Sequence, residues 1–300
     1  MKLPISARLW RLLANPPYKH PLYRRNATPR VGPEWLHGFA RVFGAAAPGL
    51  YFAATVFFCC SITSGQAGLM LGVLAVGILL FNGTLYGLGW TMRVAGELSA
   101  ERERNAYDLL CLLPSGALGV VWATATGAMH RENAFRNRSA RHLAILIGLL
   151  ILALVLSLSA LFNRTNLFTG EILVMYAAIF GVAAAFYADY VQSIVLSALV
   201  GVFAGQFAAR RFDAELWALL VFLALQLAIY TFAVLAGFIV LPPLVGLTGL
   251  RDWQGELLLV GLRFVALAGT RELAISLFWR RLAQRLNVPT GQLDALYASV

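Results

Sequence analysis

The residues of this chain best suited to chemistry are charged side chains crowded into one short stretch, ERERNAYDLLCLLPS, from Glu101 to Ser115. Carboxylates and guanidiniums this close together can pair with each other or present charge to another protein. Glu101 and Glu103 resemble an acid–base pair, but arginines surround them, and such exposed carboxylates usually form a solvated face. We therefore expect this stretch to bind a partner protein rather than to catalyse a reaction.

No other pattern in the sequence predicts catalysis. There is no Ser/His/Asp, Cys/His or paired-carboxylate arrangement, the four histidines lack metal-ligand spacing, and two of the three cysteines are adjacent. Lys2 and Lys19 are the only lysines, and neither follows the glycine-rich turn of a P-loop. The chain is therefore expected to be no enzyme and to need no cofactor or metal, and any ATP hydrolysis would belong to a partner.

The chain that carries these charges is otherwise apolar. Of its 300 residues, 60% are hydrophobic and 13% are charged, and the mean hydropathy is +0.73. Apolar runs of about 20 residues recur, which is the length that crosses a bilayer core. The runs are continuous rather than alternating, which excludes a membrane β-barrel. The sequence predicts an all-α, polytopic membrane protein and excludes a soluble globular domain.

The formal net charge is +10, and most of the basic residues that produce it lie beside the apolar runs. This pattern suits anionic lipid headgroups and the orientation of a multi-pass protein in the cell membrane. No basic patch is interleaved with aromatic residues, so nucleic acid is not an expected partner. A cleavable signal peptide is not expected either, because the first apolar run begins near Gly44, after an arginine-rich lead.

Three parts are predicted along the chain: a basic cytoplasmic segment over 1–43, a transmembrane domain over 44–286, and a cytoplasmic tail over 287–300. Within the first part, Ile5 to Leu13 predicts an amphipathic helix at the membrane surface, with two arginines at headgroup level. Its apolar side chains would enter the interface: Leu9, Trp10, Leu12 and Leu13.

About six spans are predicted, with both chain ends in the cytoplasm. The clearest are 44–62, 68–91, 142–162 and 216–241. The first two form a hairpin with arginine-rich flanks, and the positive-inside rule places those flanks and the polar segment 93–141 in the cytoplasm.

The apolar region after residue 170 is longer than one crossing. We read it as two short spans, 172–188 and 191–208, with Asp189 at a cytoplasmic turn; the alternative is one span with a re-entrant piece. Two short spans place Arg210 and Arg211 outside, against the positive-inside rule, whereas one span places them inside.

The last apolar stretch, 257–278, is either a span with its polar groups buried in the bundle or an amphipathic helix on the membrane surface. Its Arg263 is one of two candidate intramembrane polar residues, and Asp189 is the other. Each has a plainer interpretation, which is a helix-end acid for Asp189 and a snorkelling arginine for Arg263.

The charged stretch predicts a short cytoplasmic helix from Glu97 to Leu113 that ends at Pro114. An i,i+4 ion pair between Arg104 and Asp108 would add tenths of a kcal/mol. Such a helix suits a groove in a soluble protein. One face carries the charges of Glu97, Glu101, Arg104 and Asp108. The apolar end consists of Tyr107, Leu109, Leu110, Leu112 and Leu113.

This stretch resembles the segment after the second span of type-2 ABC exporter permeases. In that family a glutamate-arginine-glutamate run precedes a glycine-threonine step, an acid, several leucines and a proline. Here the run is Glu101-Arg102-Glu103, the acid and leucines are Asp108-Leu109-Leu110, and the proline is Pro114, while Asn105-Ala106 departs from the glycine-threonine step.

The resemblance implies that this segment is a coupling helix docked on an ATPase subunit. It also implies a permease subunit of an ATP-driven ABC transporter, an exporter, paired with a second permease copy or a homologue in the lipid bilayer. Two other functions stay open from the residues: a non-transporting membrane scaffold subunit, and an ion-coupled carrier that uses Asp189 and Arg263. The helix would contact the ATPase with Glu101, Arg102, Glu103, Arg104, Tyr107, Asp108, Leu109, Leu110, Leu113 and Pro114.

Overall fold

The structure, a computed structural model, describes residues 4–28, 66–112, 116–131, 170–208, 210–250 and 252–288, with isolated helical positions between 135 and 155. The regular structure in these residues is entirely helical, as the sequence predicts. The predicted first span and the C-terminal tail beyond residue 288 lie outside the described residues, and so does most of the predicted third span.

In the described part of the chain, nine α-helices and one π-helical segment follow one another. They are α1 Ile5–Ala14, α2 Pro21–Ala27, α3 Gln66–Glu103, α4 Tyr107–Cys111, α5 Gly116–His130, α6 Gly170–Phe207, α7 Arg211–Val234, the π-helical segment Leu235–Val240, α8 Leu241–Gly246 and α9 Asp252–Arg285.

Helices α3 and α6 run parallel and approach each other closely, because glycine at two positions of α6 leaves room for the α3 backbone. A Cβ atom at Gly201 would lie 2.7 Å from the carbonyl oxygen of Thr91, and Gly205 meets α3 one turn further on. At the end of the pair, Ser99 Oγ donates a hydrogen bond to the carbonyl oxygen of Ala208 (3.4 Å). The glycine spacing on α6 therefore serves packing within the chain.

The predicted pair of short spans is wrong, because α6 is one unbroken helix over Gly170–Phe207. Asp189 lies in its middle and is buried, not at a turn. An acid in an apolar run marks a turn only where its charge must reach water, and here Arg271 of α9 pairs with it. One helix also brings Arg210 and Arg211 to the same end of the bundle as the last turn of α3.

Helix α9 runs parallel to α6 along most of its length. Trp253 packs beside Gly170 near the start of both helices, and the Phe278 and Phe203 rings lie 5.8 Å apart near their ends. Arg271 of α9 is fully buried inside the bundle, whereas Arg263 on the same helix is partly exposed. Helix α9 is not one of the described helices that are long and apolar enough to cross a membrane.

Helix α7 runs antiparallel to the other three long helices. Its Glu215 packs against Gly96 of α3, and its Phe222 packs against Gly87, nearer the start of α3. The C-terminal ends of α3, α6 and α9 therefore meet at the end of the bundle where α7 begins.

The interfacial placement of α1 is wrong for its leucines. Leu9, Leu12 and Leu13 are fully buried in the protein core. The Trp10 ring meets the Tyr190 ring of α6 edge-on at 5.9 Å, and the backbone N–H of Ser6 donates to Glu272 Oε1 of α9 (3.1 Å). Amphipathic periodicity shows that a helix has an apolar face, but a protein core satisfies that face as well as lipid does.

Helix α5 lies inside the segment 93–141, which the sequence predicted as polar and cytoplasmic. Most of α5 is nevertheless buried, because it packs against α2, α3 and α4. The Nε2–H group of its last residue, His130, donates a 2.7 Å hydrogen bond to the carbonyl oxygen of Leu13 in α1. The N-terminal helices and α5 thus form one packed layer at the side of the long helices.

Two of the described helical stretches are long and apolar enough to cross a membrane, by length and composition: Tyr176–Phe207 and Arg211–Gly246. In the first, 56% of the most apolar window is buried in the protein, against 22% in the second. The second therefore turns most of its apolar surface outward, which is typical of a helix that faces lipid.

Candidate functional site

The predicted helix from Glu97 to Leu113 is broken in the middle. Helix α3 ends at Glu103, and α4 begins only at Tyr107. Asn105 lies between them with φ of 53°, a left-handed conformation that asparagine adopts more readily than most residues. The predicted i,i+4 pair is lost, since Arg104 and Asp108 no longer share one helix.

The predicted charged face is divided: Arg104 and Asp108 are exposed, but its two glutamates do not point to solvent. Glu97 and Glu101 are each 2% exposed. Arg131 Nη2 lies 2.6 Å from Glu97 Oε1, and Arg25 Nη2 lies 2.5 Å from Glu101 Oε1, with Arg104 Nη1 at 3.7 Å from the same oxygen. A buried carboxylate needs such cationic partners, so these two acids hold α3 against α2 and the end of α5.

The remaining charges of the run bind α3 to α6 and α7. Arg102 Nη1 donates to the carbonyl oxygen of Gln206, and the backbone N–H of Arg211 donates to Glu103 Oε1 (2.5 Å). The Arg102 guanidinium also lies 5.9 Å from the centre of the Tyr107 ring. Most of the charged side chains in this run therefore make contacts within the chain.

The exposed apolar surface of this stretch lies on α4 and at its end. Asp108, Leu109 and Leu112 are exposed, with Leu112 at 82%; we call these three residues the α4 face. Tyr107 and Leu110 turn inward and pack against the core. The structure thus divides the predicted helix into an inner half that anchors and a short outer helix that is presented.

Two titratable groups on the inner side of α4 have raised pKa values. Burial raises the pKa of the Tyr107 phenol well above its ordinary value, and burial likewise raises the pKa of the Cys111 thiol. Both groups are therefore uncharged at neutral pH, and Cys111 is not an activated thiolate. The predicted contact residues Leu113 and Pro114 lie outside the described residues.

A second group of polar residues lies deep between the long helices. Asp189 Oδ1 and Arg271 Nη2 are 2.5 Å apart, and both side chains are 1% exposed. Arg271 also donates to Gln226 Oε1 (2.9 Å) and to Ser193 Oγ, and the Tyr230 hydroxyl donates to Asp189 Oδ1 (2.8 Å). We call these five residues the buried polar cluster.

Helix α3 closes the buried polar cluster from the fourth side. A Cβ atom at Gly83 would lie 2.5 Å from Asp189 Oδ2, and Thr84 Oγ1 donates to the Tyr230 hydroxyl oxygen (3.3 Å). Opposite charges and hydrogen-bonding groups face each other here, and their contacts hold α3, α6, α7 and α9 in register.

Sequence reasoning found Asp189 but not most of its partners. Arg271 was recognised only as one of several polar groups in the last apolar stretch, and Ser193, Gln226 and Tyr230 were missed. The available signal was the polar residue within an apolar run, which is rare in a membrane helix unless it faces a partner. Gln226, in the middle of α7, carries that signal most clearly.

The other predicted intramembrane residue, Arg263, does not join the buried polar cluster. It is partly exposed, and its Nε donates to the carbonyl oxygen of Gly237 in the π-helical segment (3.0 Å). Its guanidinium lies 4.7 Å from the centre of the Phe238 ring. The two candidates therefore belong to different environments.

Within the described residues, no group of three or more His, Cys, Asp or Glu side chains is placed to hold a metal ion. No protein-family model, curated protein or solved structure matches this chain. The features of this chain that bear on its function are therefore its own residues and the resemblance carried by its charged stretch.

Proposed function

We propose that this protein is the membrane-spanning permease subunit of an ATP-driven ABC transporter, an exporter, and that a separate ATPase subunit binds it at the α4 face. The observation that carries the proposal is the exposure of Asp108 and Leu109 on a short helix and of Leu112 at its end, joined to the end of α3 by a tight turn. An acid beside two leucines matches an apolar groove with a basic rim in the partner.

The departure from the family pattern at Asn105 supports this assignment once the backbone is known. The family has glycine at this position, and Asn105 adopts φ of 53°. Glycine and asparagine are the two residues that enter this left-handed region most readily. The same turn between α3 and α4 is therefore available to both sequences.

The contacts around the end of α3 give the partner a means of moving the bundle. Arg25, Arg131 and Arg211 reach α3 from three other parts of the chain. A force applied to α4 by the partner would be transmitted to the last turn of α3 and, through these contacts, to the neighbouring helices. A helix without such contacts would bend under the same force and transmit less of it.

The directions of the long helices agree with a six-span protein. If 44–62 and 142–162 cross the membrane as the sequence predicts, α3, α6 and α9 each return to the cytoplasm and α7 leaves it. Arginines then collect at the cytoplasmic ends, as the positive-inside rule requires; examples are Arg102, Arg211 and Arg280. The N-terminus is cytoplasmic in this arrangement, and a second permease copy or a homologue would complete the transporter.

Co-purification tests the proposed ATPase contact. Glu101 is unsuitable for the experiment because it is buried, and its reversal would disturb the fold. We expect the double variant Asp108→Lys/Leu112→Ser to lose the ATPase while keeping wild-type stability. Leu247→Ser is the matched control, because Leu247 is equally exposed at 84% but lies beyond the opposite end of α7.

Substrate-stimulated ATPase activity separates the permease from a scaffold subunit, because both would bind the ATPase through the α4 face. In a permease, transported substrate stimulates the ATPase activity of the reconstituted wild-type complex. In a scaffold, the ATPase is bound through the same face, but its activity shows no response to substrate. If the double variant retains the ATPase as firmly as Leu247→Ser does, the α4 face is not the contact.

A further inference from the structure

Arg263 of α9 lies across an irregular part of its neighbour. The π-helical segment Leu235–Val240 interrupts the apolar helical stretch that α7 begins, and such segments often occur at functional sites. Arg263 Nε donates to the Gly237 carbonyl oxygen (3.0 Å), and the guanidinium lies 4.7 Å from the Phe238 ring centre. One hydrogen bond and one aromatic face therefore fix the position of this arginine.

Within the described part of the chain, most hydrogen-bond donors of Arg263 have no protein acceptor. A guanidinium has five N–H donors, and the bond to Gly237 uses one of them. Among the residues that the structure describes, none supplies an acceptor to Nη1 or Nη2. The nearest acid on the N-terminal side of α9 is Glu256, seven residues away or about 10 Å along the helix. A cation with unused donors beside lipid needs an anion or water.

The position of Arg263 along the bundle indicates its depth in the proposed membrane arrangement. Arg280 is at the proposed cytoplasmic end of α9, and Arg263 precedes it by 17 residues, about 26 Å of helix. On α7, Gly237 follows the exposed Trp217 by 20 residues, about 30 Å. A bilayer core is about 30 Å thick, and tryptophans favour its boundaries. Arg263 therefore falls at the opposite headgroup level.

We propose that Arg263 binds the phosphate group of a membrane phospholipid through Nη1 and Nη2, with Gly237 and Phe238 holding the guanidinium in place. Two parallel N–H donors match two phosphate oxygens, which a lysine ammonium does not reproduce. This inference rests on the membrane placement of α7 and α9 proposed above, and it does not depend on the ATPase partner.

Lipid titration tests the site. The purified, delipidated protein is titrated with phosphatidylglycerol, and bound lipid is counted by native mass spectrometry. We expect the wild type to hold one phospholipid at least about tenfold more tightly than Arg263→Lys or Arg263→Gln. Arg281→Gln removes an exposed arginine near the other end of α9 and should leave this tight site unchanged.

Wild-type lipid affinity in Arg263→Gln, or an equal loss in Arg281→Gln, would overturn the site. Saturation by inorganic phosphate with no tight phospholipid would show a free-anion site instead and would also overturn it. If Arg263→Gln fails to fold, Arg263→Lys decides the result, because lysine keeps the charge. Failure of the wild type to remain in alkali-washed membranes would contradict the membrane placement itself, a separate result.

Discussion

The described part of the protein buries carboxylates in two regions, the buried polar cluster around Asp189 and the end of α3 around Glu101. Both acids are almost fully buried and each lies 2.5 Å from an arginine. The arginines differ: the Arg271 side chain is 1% exposed, whereas the Arg25 side chain is 44% exposed. One ion pair is therefore sealed from water on both sides, and the other keeps one partner in contact with it.

This difference in exposure predicts that breaking each ion pair lowers the free energy of unfolding by a different amount. Removing one member of a sealed pair leaves the other as an uncompensated buried charge, which costs about 3–5 kcal/mol. An arginine at the surface can turn into water when its carboxylate is lost, so the cost is much smaller. The sealed region therefore suits a fixed layer of the bundle, and the half-open region suits a part of the bundle that can be rearranged at a smaller cost in stability.

The largest expected effect comes from breaking the sealed pair. Asp189→Leu leaves Arg271 buried without its counter-ion and should lower the free energy of unfolding in detergent by about 3–5 kcal/mol. The double variant Asp189→Leu/Arg271→Met, which removes both charges, should recover most of that loss. A double variant as unstable as the single one would show that the charges do not account for the effect.

Adding a side-chain carbon to α3 beside the buried polar cluster should give the next largest loss of stability. A Cβ at Gly83 would collide with Asp189 and Ser193, whereas nothing lies within 4 Å of a Cβ at Gly89 on the same helix. Gly83→Ala should therefore cost about 1–3 kcal/mol. Gly89→Ala, measured in the same unfolding titration, should be neutral or stabilising by up to about 1 kcal/mol, since alanine favours helix. Equal effects of the two variants would contradict the close packing at Gly83.

A smaller effect is expected at the half-open pair. Glu101→Gln keeps the shape of the side chain and releases Arg25 to solvent, so the loss of stability should be about 1 kcal/mol. If this variant is as destabilised as Asp189→Leu under identical unfolding conditions, the proposed difference between the two ion pairs is wrong. Arg25→Gln leaves the buried carboxylate with only the more distant Arg104 as a cationic partner and should lower the free energy of unfolding more than Glu101→Gln does.

The smallest effect on stability is expected on the α4 face. Leu112→Ser removes an almost fully exposed side chain, so the free energy of unfolding should change by less than about 0.5 kcal/mol. Any loss of ATPase binding in this variant then reports on the contact and not on the fold. A destabilisation above about 1 kcal/mol would mean that Leu112 packs against the chain itself.

The helical class of the protein could be predicted from the sequence, because run length and composition depend only on local residues. The continuity of α6 could not, because the partner that allows Asp189 to stay inside a helix is Arg271, 82 residues later. Nothing local distinguishes an acid at a turn from an acid with a distant counter-ion.

The charged stretch likewise depends on distant residues that its local sequence does not reveal. Helical spacing correctly placed Glu97 and Glu101 on one side of α3, but spacing does not say whether that side faces water or another helix. The arginines that bury them, Arg131 and Arg25, come from other parts of the chain. The turn at Asn105 had a local signal, since asparagine tolerates the left-handed region, and the helix prediction overlooked it.

The central claim is that the α4 face contacts an ATPase subunit, and photocrosslinking tests it most directly. A photoreactive side chain is placed at Leu112 or, as a control of equal exposure, at Leu247. After irradiation of intact membranes, captured proteins are identified by mass spectrometry. We predict that position 112 captures a protein with a P-loop and that position 247 does not. Absence of any P-loop protein at position 112, or equal capture at both positions, would contradict the claim.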